Sequence, residues 1–132
     1  MIRYLLDTNA VVELLRDTSS KVARRARRED VTDLAISAIV AHELFYGAFK
    51  SRRSTQNVAL IDARRFPVLE FDKEDARQAG EVRDQLAAQG ISIGPFDALI
   101  AGQAMARRMI LVTHNIREFA RVPGLRFEDW VT

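Results

Sequence analysis

The chain has no cysteine, which excludes disulfide staples and thiolate-held metals alike. The same lack fits a reducing compartment, and a cytoplasmic protein is the expectation. No apolar run approaches the ~20 residues of a membrane span. The first apolar run is stopped at Asp7 and has no basic region before it, so no secretory leader is expected. Repeats, low-complexity tracts and linkers are also missing. The 132 residues therefore suit one domain with a core that needs no covalent support. His42 and His114 stand apart from one another, and no zinc arrangement competes.

Neither sign of charge dominates, with 20 Lys and Arg against 18 Asp and Glu. Distribution says more than the total. Arg24, Arg25, Arg27 and Arg28 cluster, as do Lys50, Arg52 and Arg53, then Arg64 and Arg65, then Arg107 and Arg108. Such clusters either attract a polyanion or form solvated helix faces, and charge alone leaves both readings open.

The stretch Ile2-Arg3-Tyr4-Leu5-Leu6-Asp7-Thr8-Asn9 is short, apolar and rich in strand formers until it ends in acid, hydroxyl and amide. It reads as a strand buried on both faces, passing into a helix over 10–16 with Thr8 or Asn9 as N-cap. Asp7 then falls at the carboxyl end of a strand, where open α/β sheets bind ligands; capping a helix is the plainer role. Further on, Ser19 or Ser20 caps a helix through Arg28, and Leu34 to Ser37 form a second strand leading into a helix over 38–50. A helix over 55–65, a strand over 68–71 and a long helix capped by Asp72 and closed by Gly90 follow. Pro95 opens another helix reaching about Arg107, and residues 109–113 are the clearest strand in the sequence. A short helix over 116–120 and an edge strand over 125–127 complete the chain. Strands alternating with helices predict an α/β domain: a three-layer sandwich whose mostly parallel central sheet is flanked by helices.

Three carboxylates keep apolar company. Glu43 has Ile39, Val40, Tyr46 and Gly47 at helical spacing, and Asp97 has Ile93, Gly94, Ile100 and Ala101. Burying a carboxylate without a partner costs several kcal/mol as an order of magnitude. Neither has a Lys or Arg at helical spacing to offset that cost. Asp7 adds a third carboxylate and Asn115 an amide, each at a strand end. Like charges gathered in this way call for a cation, and an all-oxygen set suits Mg²⁺ or Mn²⁺. His114 is a weaker candidate for touching substrate, and His42 points about 100° away from Glu43, toward surface or interface.

The blocks Tyr4-Leu5-Leu6-Asp7-Thr8-Asn9, Ser37 through Gly47, Ile93 through Ala101 and Leu111 through Phe119 stand in order. With the closing Val122-Pro123-Gly124-Leu125 and Trp130, they resemble the PIN-domain ribonuclease toxins of the VapC type. The resemblance runs essentially end to end. It implies a metal-dependent endoribonuclease, the toxin of a toxin–antitoxin pair, with Asp7, Glu43 and Asp97 as the acidic residues. Asp7 and Asp97 would be direct metal ligands, and Glu43 a ligand or the group that orients the water. Many PIN domains carry a fourth acid where Asn115 stands, and an amide there can support the shell but cannot neutralise charge. Hydrolysis would leave a 5′-phosphate and a 3′-hydroxyl on a structured RNA, with a tRNA anticodon region as the expected target. A VapB-type antitoxin whose tail blocks the acidic cleft and a homodimer are implied as partners, and no membrane is. Phe45, Tyr46 and Phe49 are either antitoxin or dimer contacts or ordinary core.

Two rival readings remain. Receiver-like phosphoryl chemistry at Asp7 would need a second acid beside it and a lysine after a late strand, where the chain has Asn9 and Arg117. A PIN-like module that binds RNA without cleaving it would tolerate loss of an acid, and all three are present.

Overall fold

The structure, a computed structural model, describes residues 2–64 and 66–131. Five short strands, β1 (Tyr4–Leu6), β2 (Leu34–Ser37), β3 (Val68–Leu69), β4 (Ile110–Val112) and β5 (Phe127–Glu128), form one parallel sheet in the order β3-β2-β1-β4-β5. The described residues include seven α-helices: α1 (Thr8–Arg16), α2 (Lys21–Arg28), α3 (Ala38–Lys50), α4 (Ser54–Ala63), α5 (Lys73–Ala88), α6 (Pro95–Ala106) and α7 (Ile116–Phe119). Every residue of β1 and β2 is buried, so helices cover the middle of the sheet on both sides, as a parallel sheet requires. This is the expected PIN-like α/β architecture, with a wholly parallel sheet.

The core gathers around β1. Leu5, Leu6 and Leu111 are fully buried, each burial contributing roughly 1.5–3 kcal/mol as an upper estimate. On one side Trp130 meets Tyr4 edge-on, ring centroids 5.0 Å apart, and fastens the end of the chain to the first strand. Helices α5 and α6 approach so closely that a side chain at Gly102 would collide with the backbone of Ala79.

Local signals placed most boundaries within two residues, and the exceptions have reasons. Asp7 itself caps α1, accepting the Thr8 N–H at 2.7 Å, so the helix begins at Thr8, not after Thr8 or Asn9. Ser20 and Ser37 cap α2 and α3. Asp72 and Asp75 form a reciprocal capping box on α5, and Gly90 takes a φ of 71° just past its end. α4 stops at Ala63, and Arg65, expected in its last turn and in a basic pair, lies outside the described residues. The last strand pairs at Phe127–Glu128, two residues later than expected, because Val122 to Gly124 take up the preceding turn.

Candidate active site

All five strands run the same way, so the residues just after β1 and β4, adjacent strands, share one edge of the sheet. Asp7 follows β1, and Thr113 and Asn115 follow β4. Asp7 is 4% exposed, with one carboxylate oxygen on the Thr8 N–H and the other accepting the Thr113 hydroxyl at 2.8 Å. Thr113 in turn accepts the Asn115 N–H at 2.9 Å, which fixes its hydroxyl toward Asp7. Burial pushes the Asp7 carboxyl above its ordinary range, and the two hydrogen bonds pull against that shift.

Glu43 reaches the same place from α3 and accepts the Thr8 hydroxyl at 3.0 Å. Asp97 arrives from the first turn of α6, where Pro95 sets the helix start. Its carboxyl is pushed up to about 7, first by burial, then by a hydrogen bond shared with Glu118 and by the charges of Asp7, Glu118 and Glu43. A side chain at Gly94 would stand only 3.2 Å from Asp97 Oδ2, so glycine keeps that carboxylate clear.

Asp7 and Glu43, nominated from sequence, are thus both brought within electrostatic reach of Asp97, the third nominee. Asn115 is beside them, but its amide Nδ2 donates to Glu118 Oε2 at 3.1 Å. Glu118 is the residue that sequence reasoning missed: a fourth carboxylate, supplied from α7 three positions after Asn115. The available signal was the spacing of Asn115 and Glu118 at the first turn of a short helix. His114 makes its contact outside this cluster, its Nδ1 3.2 Å from Asp129 Oδ2. His42 is exposed and stands edge-on to Phe96 with ring centroids 5.4 Å apart, a surface position as expected.

Among the described residues no Lys or Arg forms an ion pair with any of the four acids. Nor do three of them converge tightly enough for a ready-made three-ligand metal cage among those residues. Mg²⁺ and Mn²⁺ do not require one. Mg²⁺ keeps several waters and takes one or two carboxylates, and an uncompensated set of hard oxygen donors fits that habit. A groove of about 470 Å³ is lined by Thr8 and Glu43 of the cluster together with Arg16 and the apolar Val12, Leu15 and Leu60.

A family model for the PIN domain matches residues 4–125. The chain is 41% identical to a tRNA(fMet)-specific endonuclease VapC from Shigella flexneri, over 98% of this chain and 99% of that one. It is 35% identical to ribonuclease VapC2 from Haemophilus influenzae, over 99% of this chain and all of that one. The crystal structure of DNA-bound VapBC from Salmonella typhimurium superposes with a TM-score of 0.93 at 37% identity, covering 98% of this chain and 99% of that chain. VapBC-1 from nontypeable Haemophilus influenzae gives 0.88 at 32% identity over the full length of both chains. End-to-end agreement in sequence and fold makes this chain a member of the PIN-domain family, in its VapC branch.

Proposed function

We propose that the chain is the ribonuclease toxin of a toxin–antitoxin pair, a divalent-metal-dependent endoribonuclease that cleaves structured RNA, tRNA being the favoured substrate. The observation that carries this reading is the group of four carboxylates, with Asp7, Glu43 and Glu118 all acting on Asp97 and no ion pair to any of them among the described residues. Such a group is costly for folding alone and gains a purpose when a cation is held there. The relatives' names, a tRNA(fMet)-specific endonuclease and a ribonuclease, support the choice of RNA.

Asp7 and Asp97 would hold Mg²⁺ or Mn²⁺, with Glu43 as a further ligand or a water-orienting group. When bound, the ion lowers the pKa of a coordinated water and offsets charge developing on the phosphate. The chain's own part is positional. Thr113 and Thr8 hold Asp7 and Glu43 in fixed orientations, and Asn115 steadies Glu118. In the hydrolysis, water forms a bond to phosphorus as the bond to the 3′ oxygen breaks. The proton that water loses ends, directly or through solvent, on that leaving oxygen, so the products carry a 5′-phosphate and a 3′-hydroxyl.

A VapB-type antitoxin belongs to the same reading, since the similar solved structures are VapBC complexes. Tyr46 and Phe49, 62% and 67% exposed, and the apolar groove at Thr8 and Glu43 suit its docking next to the acids, while Phe45 is partly buried. Assembly as a homodimer completes the reading.

Purified protein incubated with total cellular RNA should give discrete products with Mg²⁺ or Mn²⁺, and none with EDTA or with Asp7→Ala. Cleavage that survived both EDTA and Asp7→Ala would exclude the acidic cluster as the active site. Intact RNA binding without cleavage would leave a binding module.

A further inference from the structure

Lys21, Arg24, Arg25 and Arg28 recur at the three- and four-residue spacing of one face of α2, while Val22, Ala23 and Ala26 bury the other. That cationic face lines a groove of about 420 Å³ closed by Asp129 and Trp130. Arg25 is part of its wall. Its guanidinium lies 4.6 Å from the Trp130 ring centroid and pairs with Glu29 at 2.9 Å and Glu128 at 3.6 Å. Lys21, Arg24 and Arg28 are exposed and enter no ion pair among the described residues.

One residue of the groove, Asp129, stands at the edge that carries the acids. Asp7, Thr113 and Asp129 follow β1, β4 and β5, which are neighbours in that order in the parallel sheet. Asp129 bonds to His114, and Thr113 to Asp7, so acid cluster and basic groove are joined through adjacent residues. Four carboxylates repel a polyanion, and a strand that crosses them must be held from elsewhere. Of the other basic residues, Arg107 is held by Asp75 and the Glu70 carbonyl, and Arg126 donates to the Arg108 carbonyl.

We propose that the α2 groove is a second RNA-contact site, holding the phosphodiester backbone of the substrate strand beyond the nucleotide that is cleaved. This rests on the nuclease reading above. Phosphate contacts of this kind position a strand without reading its bases.

The test is the salt dependence of RNA binding by the Asp7→Ala protein, with and without Arg24→Ala and Arg28→Ala. Both arginines are exposed, and alanine favours helix. A structured RNA of tRNA size should lose roughly tenfold in affinity, and the log–log salt slope should shrink by about 1.4, two contacts at ~0.7 each for single strands. Lys73→Ala with Arg83→Ala, which removes the same charge from exposed sites on α5, should leave both nearly unchanged. Equal losses from the two double variants would reduce the effect to net charge and overturn the site. Unchanged binding by the α2 variant, where its parent binds RNA, would overturn the groove and leave the nuclease reading standing. No RNA binding by wild type or parent would overturn both. Loss on duplex DNA of equal length without loss on RNA would assign the groove to a different ligand and overturn the proposal.

Discussion

Asp7 and Asp75 are both buried, 4% and 1% exposed, and the chain treats them in opposite ways. Asp75 sits in the first turn of α5 with its acceptors filled. It takes the Asp72 N–H at 3.0 Å, the Gln103 amide at 3.1 Å, and the Arg107 guanidinium at 3.0 and 3.2 Å. Arg107 and Gln103 also donate to the Glu70 carbonyl, which ties the end of β3 to α6. Asp7 receives one N–H and one hydroxyl, has no cationic partner among the described residues, and lies within electrostatic reach of Asp97. One buried acid is neutralised by the fold. The other is left for something the fold does not supply, as expected where a site's charge serves binding and not stability.

Removing Asp75 gives the largest stability effect expected. Asp75→Ala leaves Arg107 and Gln103 without their shared partner and opens the capping box, a loss of about 3 kcal/mol in urea unfolding. A loss below about 1 kcal/mol would dissolve the contrast between the two acids.

The acidic cluster should behave inversely. Asp97→Asn removes a charge that its neighbours oppose, so the metal-free variant should melt roughly 2–4 °C above wild type at pH 8. The figure is small because the carboxyl is only partly buried. The folded chain holds a proton on Asp97 up to about pH 7, whereas the unfolded chain releases it near 3.8. This group's contribution is therefore most favourable below pH 4 and declines as pH rises through 7. The gap between variant and wild type should thus close toward pH 5 in EDTA. Adding Mg²⁺ or Mn²⁺ should raise the wild-type melting temperature at pH 8 and scarcely move the variant. A variant that melted lower than wild type would mean that Asp97 is paired after all.

The smallest effect sharpens the first. Arg77 and Glu74 pair at 3.5 Å on the same helix as Asp75, with both side chains at least two-thirds exposed. Arg77→Ala should change stability by no more than a few tenths of a kcal/mol, measured in the same titration.

Much of this was legible beforehand because the signals are local. Ser20, Ser37 and Asp72 announce helix starts, Gly90 a helix end, and the apolar runs at Tyr4–Leu6 and Ile110–Val112 the paired strands. Asp97 and Glu43 were conspicuous because helical spacing put a carboxylate among apolar side chains. Glu118 was not, since α7 spans only Ile116–Phe119, a single turn, too short for helical spacing to set an acid apart. The Asp75–Arg107 pair, 32 residues apart in sequence, was equally silent. So was the difference between the basic clusters, with Arg107 bound into a network and Arg24 and Arg28 on a groove wall in no ion pair among the described residues.

By itself, then, the sequence determined the order and type of the elements, the parallel sheet and three acids that needed an explanation. Hydrophobic period, caps and turn residues act over a few positions and can be read there. Only tertiary structure decided which charges are answered and which are not. Whether a carboxylate meets a guanidinium or another carboxylate depends on the packing of helices distant in the chain, here α5 on α6 and α7 beside the first turn of α6. Electrostatic energy depends on separation in space, and no local pattern carries that distance.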